Sequence, residues 1–224
     1  MAAKVPDDVW VVIPAYNEKR HILEVIKATK RFASNIVVVD DGSKDNTTRL
    51  ALAQGVTVLQ MIVNLGKGAA LKTGCDFALR QGAKRIVVMD SDGQHNPARI
   101  PEFVDALKGK DIVFGIRSMD ENMPAIKRFG NAVINKVTEL LYRIKIDDTQ
   151  TGFRAFTSNA YSKIRWRSSD YSMESEMIAN AGKHHLKYAE IGIETITHDR
   201  YRGTTILDGI KIVANMVLWR LKWY

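Results

Sequence analysis

The chain has 224 residues, 46% of them hydrophobic and 26% charged, with a net charge of +8 at pH 7. This composition supplies ample core and excludes a disordered chain, while the basic balance favours an anionic partner: nucleic acid, nucleotide phosphates or an acidic membrane face. The one cysteine, Cys75, excludes an internal disulfide and suits a reducing compartment; no uninterrupted apolar run approaches a membrane span, and residues 1–8 hold no signal-peptide core.

Residues 9–13 read as a first buried strand, followed by the loop Pro14-Ala15-Tyr16-Asn17-Glu18 and a helix over 21–31. A second strand over 35–39 ends in Asp40-Asp41-Gly42-Ser43, and Asp45-Asn46-Thr47 caps a helix running to 54. A third strand spans 56–61. Asn64-Leu65-Gly66-Lys67-Gly68 opens a helix to 81, in which Cys75 reads as packing. A fourth strand starts at 85, a helix covers 97–108, and a fifth strand covers 111–116. Strands alternating with helices predict a parallel sheet with right-handed crossovers. Beyond Arg117 the pattern changes. A basic helix spans 125–144, a polar insert over 147–156 ends in an aromatic strand, a helix covers 175–183 and a strand-like run covers 186–196. A polar loop over 198–205 precedes a last helix, 206–223. No linker rich in Pro, Gly or Ser interrupts the chain, so 1–224 reads as one domain.

The stretch Arg85-Ile86-Val87-Val88-Met89-Asp90-Ser91-Asp92-Gly93-Gln94-His95 carries the chemistry. Its apolar run suits a strand buried on both faces, which places Asp90 and Asp92 at the strand's carboxyl end, where open α/β sheets bind ligands. Two carboxylates one residue apart repel unless a cation or donors neutralise them. A hard divalent ion bridging to a diphosphate does so with oxygen ligands; a surface turn accounts for Asp-Ser-Asp-Gly equally well on its own. Tyr16-Asn17-Glu18, Asp40-Asp41, Asn64, the Asp90/Asp92 pair and Arg117 all follow strands, so together they would line one edge of the sheet. Gly66-Lys67-Gly68 puts small residues and a lysine at a helix start, where anions bind. The Walker pattern and a G-x-G-x-x-G after the first strand are both missing, which counts against ATPase and dinucleotide readings.

Val11-Val12-Ile13-Pro14-Ala15-Tyr16-Asn17-Glu18, Val38-Val39-Asp40-Asp41-Gly42-Ser43, Asn64-Leu65-Gly66-Lys67-Gly68-Ala69-Ala70 and Asp90-Ser91-Asp92-Gly93-Gln94-His95 resemble, in this order, the motifs of glycosyltransferase family 2. Asp148-Thr149-Gln150-Thr151-Gly152-Phe153-Arg154-Ala155-Phe156 and Met173-Glu174-Ser175-Glu176-Met177 are similar to its dolichyl-phosphate mannose synthase branch, which glycosylates polyprenyl phosphates. The resemblance spans residues 9–205. It implies a GT-A (Rossmann-like) α/β fold, a mostly parallel sheet flanked by helices with a C-terminal amphipathic helical elaboration. Residues 9–117 would form the nucleotide-sugar and metal half, and 118–205 the acceptor half. Pro14, Tyr16 and Glu18 would hold the donor's base and ribose, Asp41 would read the base edge, and Lys67 and Arg202 would meet its phosphates. Asp90, Asp92 and Gln94 would ligate Mg²⁺ or Mn²⁺. Arg117 and Arg128 would face the acceptor phosphate. Asp92, Arg117 and Arg128 are thus the implied catalytic set, with Asp148 or Gln150 positioning sugar hydroxyls. The implied reaction is an inverting transfer from GDP-mannose or a UDP-hexose to a polyprenyl phosphate. Two places depart from the branch: Gly203-Thr204-Thr205 lacks its lysine, and Asn131-Ala132 stand where a serine commonly follows the acceptor arginine.

Other readings stay open. A saccharide or protein acceptor would need a carboxylate base, for which Asp147, Asp148 or Glu174 could serve. A nucleotidyltransferase would want a glycine-rich, arginine-bearing first loop, and a non-catalytic nucleotide-sugar module would not need Asp90 and Asp92. No nucleic-acid module or stacking ladder is present. His21, His184 and His185 read as surface residues, and His95 borders the metal motif. Lys127, Arg128, Lys136, Arg143 and Lys145 among Phe129, Val133, Ile134, Val137, Leu140, Leu141 and Ile144 make a basic amphipathic helix, which can lie on an anionic membrane or pack on the sheet. The apolar stripe from Ile206 to Leu221, ending in Trp219, Trp223 and Tyr224, poses the same choice. It sets the expectation of a peripheral protein on the cytoplasmic membrane face.

Overall fold

The structure, a computed structural model, describes residues 4–117, 125–194 and 206–221, without the side chains of 125–129, 131 and 206–210. Its strands are β1 Val9–Ala15, β2 Asn35–Asp40, β3 Thr57–Gln60, β4 Arg85–Val88, β5 Ile112–Arg117, β6 Arg154–Thr157 and β7 Tyr188–Ile193. They form one sheet in the order β3-β2-β1-β4-β6-β5-β7. β1, β2, β3 and β4 pair in parallel, as do β5 and β7. β6 runs antiparallel to both β4 and β5. The sheet is thus mostly parallel, as expected, with β6 reversed among the described strands. After the helix Ala125–Tyr142 and the insert over 147–153 the chain re-enters at the edge where β5 ended, so β6 runs back through the slot between β4 and β5.

The helices are α1 Ile22–Thr29, α2 Thr47–Leu52, α3 Lys67–Arg80, α4 Ile100–Ala106, α5 Ala125–Tyr142, α6 Ser158–Ile164, α7 Ser172–Lys183 and α8 Ile206–Leu221, with a 3-10 turn at Pro97–Arg99. Successive strand residues face opposite sides. Val11 and Ile13 therefore bury against α1 and α4 with Ile22, Ile26 and Phe103. Val12, Val37, Val39 and Val88 bury on the other face with Leu71 and Cys75 of α3 and residues of α5, α6, α7 and α8. The central strands are buried on both faces, which explains why they read as unbroken apolar runs. Cys75 is a core residue, as expected. The helix over 158–164 was not foreseen; Thr157 caps it by accepting from the Ala160 amide. Asp45, rather than Asn46, accepts the Thr47 amide before α2.

Because β5 is antiparallel to β6, and β6 to β4, β5 shares the direction of β1 and β4. The carboxyl ends of β1, β2, β4 and β5 therefore share one edge, and the start of the reversed β6 lies at that edge too. Gly152, Phe153 and Arg154 reach the site only because β6 is reversed.

Candidate active site

The loops after β1, β2 and β3 fasten one another. The Asn17 amide donates to Ser43 Oγ, the Glu18 amide to Thr47 Oγ1, and the Lys44 amide to Asn17 Oδ1, each at 2.9 Å. Asn17 adopts φ +55°, a conformation asparagine tolerates. Asp41, buried beyond β2, accepts the Leu65 and Gly66 amides at 2.8 Å through its two oxygens. Gly42 is irreplaceable here, since a Cβ would lie 2.7 Å from the Val63 carbonyl carbon at φ +71°.

At the centre, Lys67 Nζ lies 2.6 Å from Asp90 Oδ1 and 2.9 Å from Glu174 Oε1. Burial disfavours the ammonium, but the two carboxylates outweigh it and raise the Lys67 pKa well above its usual value. Burial would likewise raise Asp90, yet Lys67 foremost among neighbouring charges holds its carboxyl below the usual range. Glu174 is buried and its Oε2 has no hydrogen-bond partner. The start of α3 is not an open anion cradle: the Ser169 carbonyl accepts the Gly68 amide at 2.7 Å. The loop after β4 folds back on itself, with Asp92 Oδ1 accepting the Gln94 amide at 3.0 Å and Gly93 at φ +78°. His95 is buried beside it. Its Nδ1 accepts the Asp90 amide at 3.1 Å, and burial lowers its pKa. On the far side, Gly152 walls Asp90, since a Cβ there would lie 2.5 Å from Asp90 Oδ2.

Arg117, at the end of β5, donates from Nε to Asp148 Oδ2 at 2.7 Å and from Nη2 to Asp148 Oδ1 at 3.0 Å. Burial opposes ionisation of Asp148, and the Arg117 contacts more than offset it, keeping the carboxyl below its usual range. Arg154 is fully buried. It donates to the carbonyls of Thr151, Glu174 and Thr149 at 3.0, 2.8 and 3.0 Å, and its cation lies 5.3 Å from the Phe114 ring centroid. That guanidinium ties the insert over 147–153 to α7.

The structure thus gathers Asp90, Asp92, Gln94, Lys67, Arg117 and Asp148 at one edge. Pro14 is buried in β1, Tyr16 is 42% exposed at the rim, and Glu18 is half-buried with Oε2 3.1 Å from His21 Nδ1. Gln150 Nε2 donates to Ser175 Oγ at 3.0 Å. The side chain of Arg128 and the whole of Arg202 lie outside the described residues. His184 and His185 are exposed, as expected. Arg154, Gly152 and the role of Glu174 beside Lys67 were not read from the sequence; the signal available was a lone arginine inside an apolar strand, which needs buried acceptors. Among the described residues no three His, Cys, Asp or Glu could hold a metal by themselves. Asp90 and Asp92 nonetheless offer carboxylate oxygens, the hard donors that suit a Mg²⁺ whose shell substrate phosphates complete.

A carboxylate pair at the carboxyl edge of such a sheet, backed by cations, defines a GT-A glycosyltransferase architecture. The family model described as Glycosyl transferase family 2 matches residues 10–165, and the chain belongs to that family. Among curated relatives it is 31% identical to the UDP-N-acetylglucosamine–dolichyl-phosphate N-acetylglucosaminyltransferase of Methanococcus voltae, over 95% of this chain and 96% of that one. It is 30% identical to the polyprenol monophosphomannose synthase of Mycolicibacterium smegmatis, over 90% of this chain and 82% of that one. The crystal structure of Mycobacterium tuberculosis glucosyl-3-phosphoglycerate synthase shares the fold, with TM-score 0.72 and 21% identity over 95% of this chain and 80% of that one. The same protein in complex with Mn²⁺, uridine diphosphate and phosphoglyceric acid matches with TM-score 0.71 at 20% identity, over 95% of this chain and 78% of that one.

Proposed function

We propose that the chain transfers a sugar from a nucleoside diphosphate sugar to a polyprenyl phosphate. One observation carries the acceptor class: Asp148, a carboxylate placed to serve as a base, is already paired through both oxygens with Arg117, while Glu174 shares Lys67 with Asp90. A hydroxyl acceptor needs a free general base. A phosphate monoester needs none, being largely ionised near neutral pH with a second pKa of about 6. The relatives named for dolichyl-phosphate and polyprenol substrates support the same class. In this reading a phosphate oxygen bonds to the sugar's anomeric carbon from the face opposite the leaving group. The bond from that carbon to the nucleoside diphosphate breaks, and the diphosphate keeps the electron pair. Asp148 fixes the plane of the Arg117 guanidinium for phosphate oxygens; the family resemblance assigns phosphate contacts to Arg128 and Arg202 as well, by sequence alone. Tyr16, Glu18 and Asp41 receive the nucleoside.

Mg²⁺ or Mn²⁺ would be held by Asp90 and Asp92, with Gln94 beside them, and would supply Lewis-acid neutralisation of the leaving diphosphate. The Mn²⁺ and uridine diphosphate complex of the related synthase supports this use. Incubation with a panel of nucleotide sugars and a polyprenyl phosphate, followed by lipid extraction, tests the function. A lipid-linked sugar is expected, and its formation should cease in excess chelator and in Asp92→Asn with the fold intact. Transfer only to free saccharides would overturn the acceptor class.

The membrane side of the reading rests on α5 and α8. They pack through Tyr142 Oη, which donates to the Met216 carbonyl at 2.5 Å. Away from that seam Val133, Leu140, Val217, Leu218 and Leu221 are 37, 77, 44, 51 and 66% exposed. Exposed Lys136 lies on α5 and exposed Arg143 just past its end. No described helix is long and apolar enough to cross a membrane. A basic amphipathic surface of this kind suits an anionic lipid face, with the protein peripheral on the cytoplasmic side where nucleotide sugars are met.

A further inference from the structure

Both nitrogens of one buried imidazole address a single aspartate. His95 Nδ1 accepts the Asp90 amide at 3.1 Å, and Nε2 lies 4.0 Å from Asp90 Oδ2. An Nδ1 that accepts leaves the ring's proton on Nε2 in the neutral form, so the donor faces the carboxylate. The ring itself cannot swing. It is 7% exposed and stacks on Phe153 at 5.3 Å between centroids, and Phe153 stacks on Phe103 of α4 at 4.2 Å. The same backbone segment brings Gly152 against Asp90's oxygens. Asp90 is therefore bounded by Lys67 at Oδ1, by Gly152, and by His95 at its amide and beside Oδ2. The carboxyl edge of β4 ends in a loop of six residues whose first and last members are joined by this ring.

We infer that His95 is a positioning residue: anchored by the Phe153–Phe103 stack, its ring closes the loop from Asp90 to His95 by accepting the Asp90 amide, and so orients Asp90 for the cation that accompanies the donor diphosphate. It does not touch substrate. The inference rests on the metal reading proposed above for what Asp90 is positioned toward, and on this structure alone for the loop closure.

Two variants separate its parts. His95→Phe keeps a flat ring on Phe153 and removes both nitrogens; His95→Asn restores a short acceptor near the place of Nδ1. Outer-sphere partners of metal ligands typically contribute about 10–100-fold in affinity. Titration of Mn²⁺ by electron paramagnetic resonance, with uridine or guanosine diphosphate present, should therefore show binding weakened about tenfold in His95→Phe and substantially recovered in His95→Asn. Melting temperatures close to wild type in both variants would show that the loss is local. Nitrogen-15 NMR of the metal-free wild type should report a neutral ring protonated on Nε2. Wild-type Mn²⁺ affinity in a folded His95→Phe, or a ring protonated on Nδ1, overturns the positioning role. A wild type that binds no Mn²⁺ with either nucleotide overturns the metal reading and the cation clause with it, while the tautomer still decides the loop closure.

Discussion

Arg154 is 1% exposed, and it donates to three main-chain carbonyls and to the Met177 sulfur. Burial pushes its pKa down to about 10, so it stays charged at neutral pH. Arg154→Met keeps much of the volume and removes the guanidinium donors from those carbonyls, at about 1–3 kcal/mol for each buried group left unsatisfied. A loss of roughly 3 kcal/mol would lower the melting temperature by about 6–12 °C in a chain of this size, readable by calorimetry. The acidic residues give a pH prediction with a fixed sign. Asp90 and Asp148 are both held below the ordinary aspartate value of about 3.8. The unfolded chain therefore binds protons at higher pH than the folded one, and stability falls as pH drops through about 3.8 toward the lowered values. Thermal melts between pH 6 and pH 3 should show this slope, and Asp148→Asn should flatten part of it. At the residue scale the site was half legible. Carboxylates at a strand end announce themselves, whereas Gly152, Arg154 and the Lys67–Glu174 contact depend on residues far apart in sequence. Thr149 and Thr151 of the polar insert are 0% and 1% exposed, and Arg154 donates to their carbonyls.

At the scale of elements, α3 lies unusually close to the sheet. A Cβ at Gly74 would meet Val12 Cγ1 at 2.4 Å and Val39 Cγ2 at 2.8 Å. Gly74→Ala gains helix propensity of about 1 kcal/mol, but overpacking costs about 1–3 kcal/mol, so denaturant melts should show net destabilisation. Gly152→Ala should act differently. Its Cβ meets the Asp90 carboxylate rather than core, so metal affinity and turnover should fall by more than stability does, measurable by pairing melts with Mn²⁺ titration. Most elements were legible because their apolar runs follow simple periods. α6 was missed because seven residues give too short a pattern. The direction of β6 was missed because a four-residue strand carries no signal of polarity; only its neighbours decide it.

At the scale of the whole molecule, the chain carries +8, and exposed Leu140 of α5 has Lys136, paired with Glu139, and Arg143 as its basic neighbours in sequence. If that part of α5 meets lipid, liposomes with anionic headgroups should bind the protein, and raising salt from 0.05 to about 0.5 M should weaken binding by screening. Leu140→Asp with Leu218→Asp should reduce sedimentation with liposomes while leaving nucleotide affinity unchanged. Unaltered sedimentation would assign the charge to phosphate substrates alone.

The reversed strand β6 has a consequence for how the chain comes to be folded. β4 and β5 touch across the sheet only through β6, so a nascent chain ending near residue 117 holds two strands with a vacant slot between them. Such exposed edges invite pairing with other chains. A fragment of residues 1–117 should therefore fail to melt cooperatively, although it carries both aspartates. In pulse-labelled hydrogen exchange, amides of β1 and β2 should gain protection before those of β4 that face β6. The insert that seals the slot is the one that brings Gly152 and Phe153 to Asp90 and His95. Competence for chemistry and closure of the sheet would then arrive in a single late event, leaving no partly made chain that is open-edged and active at once.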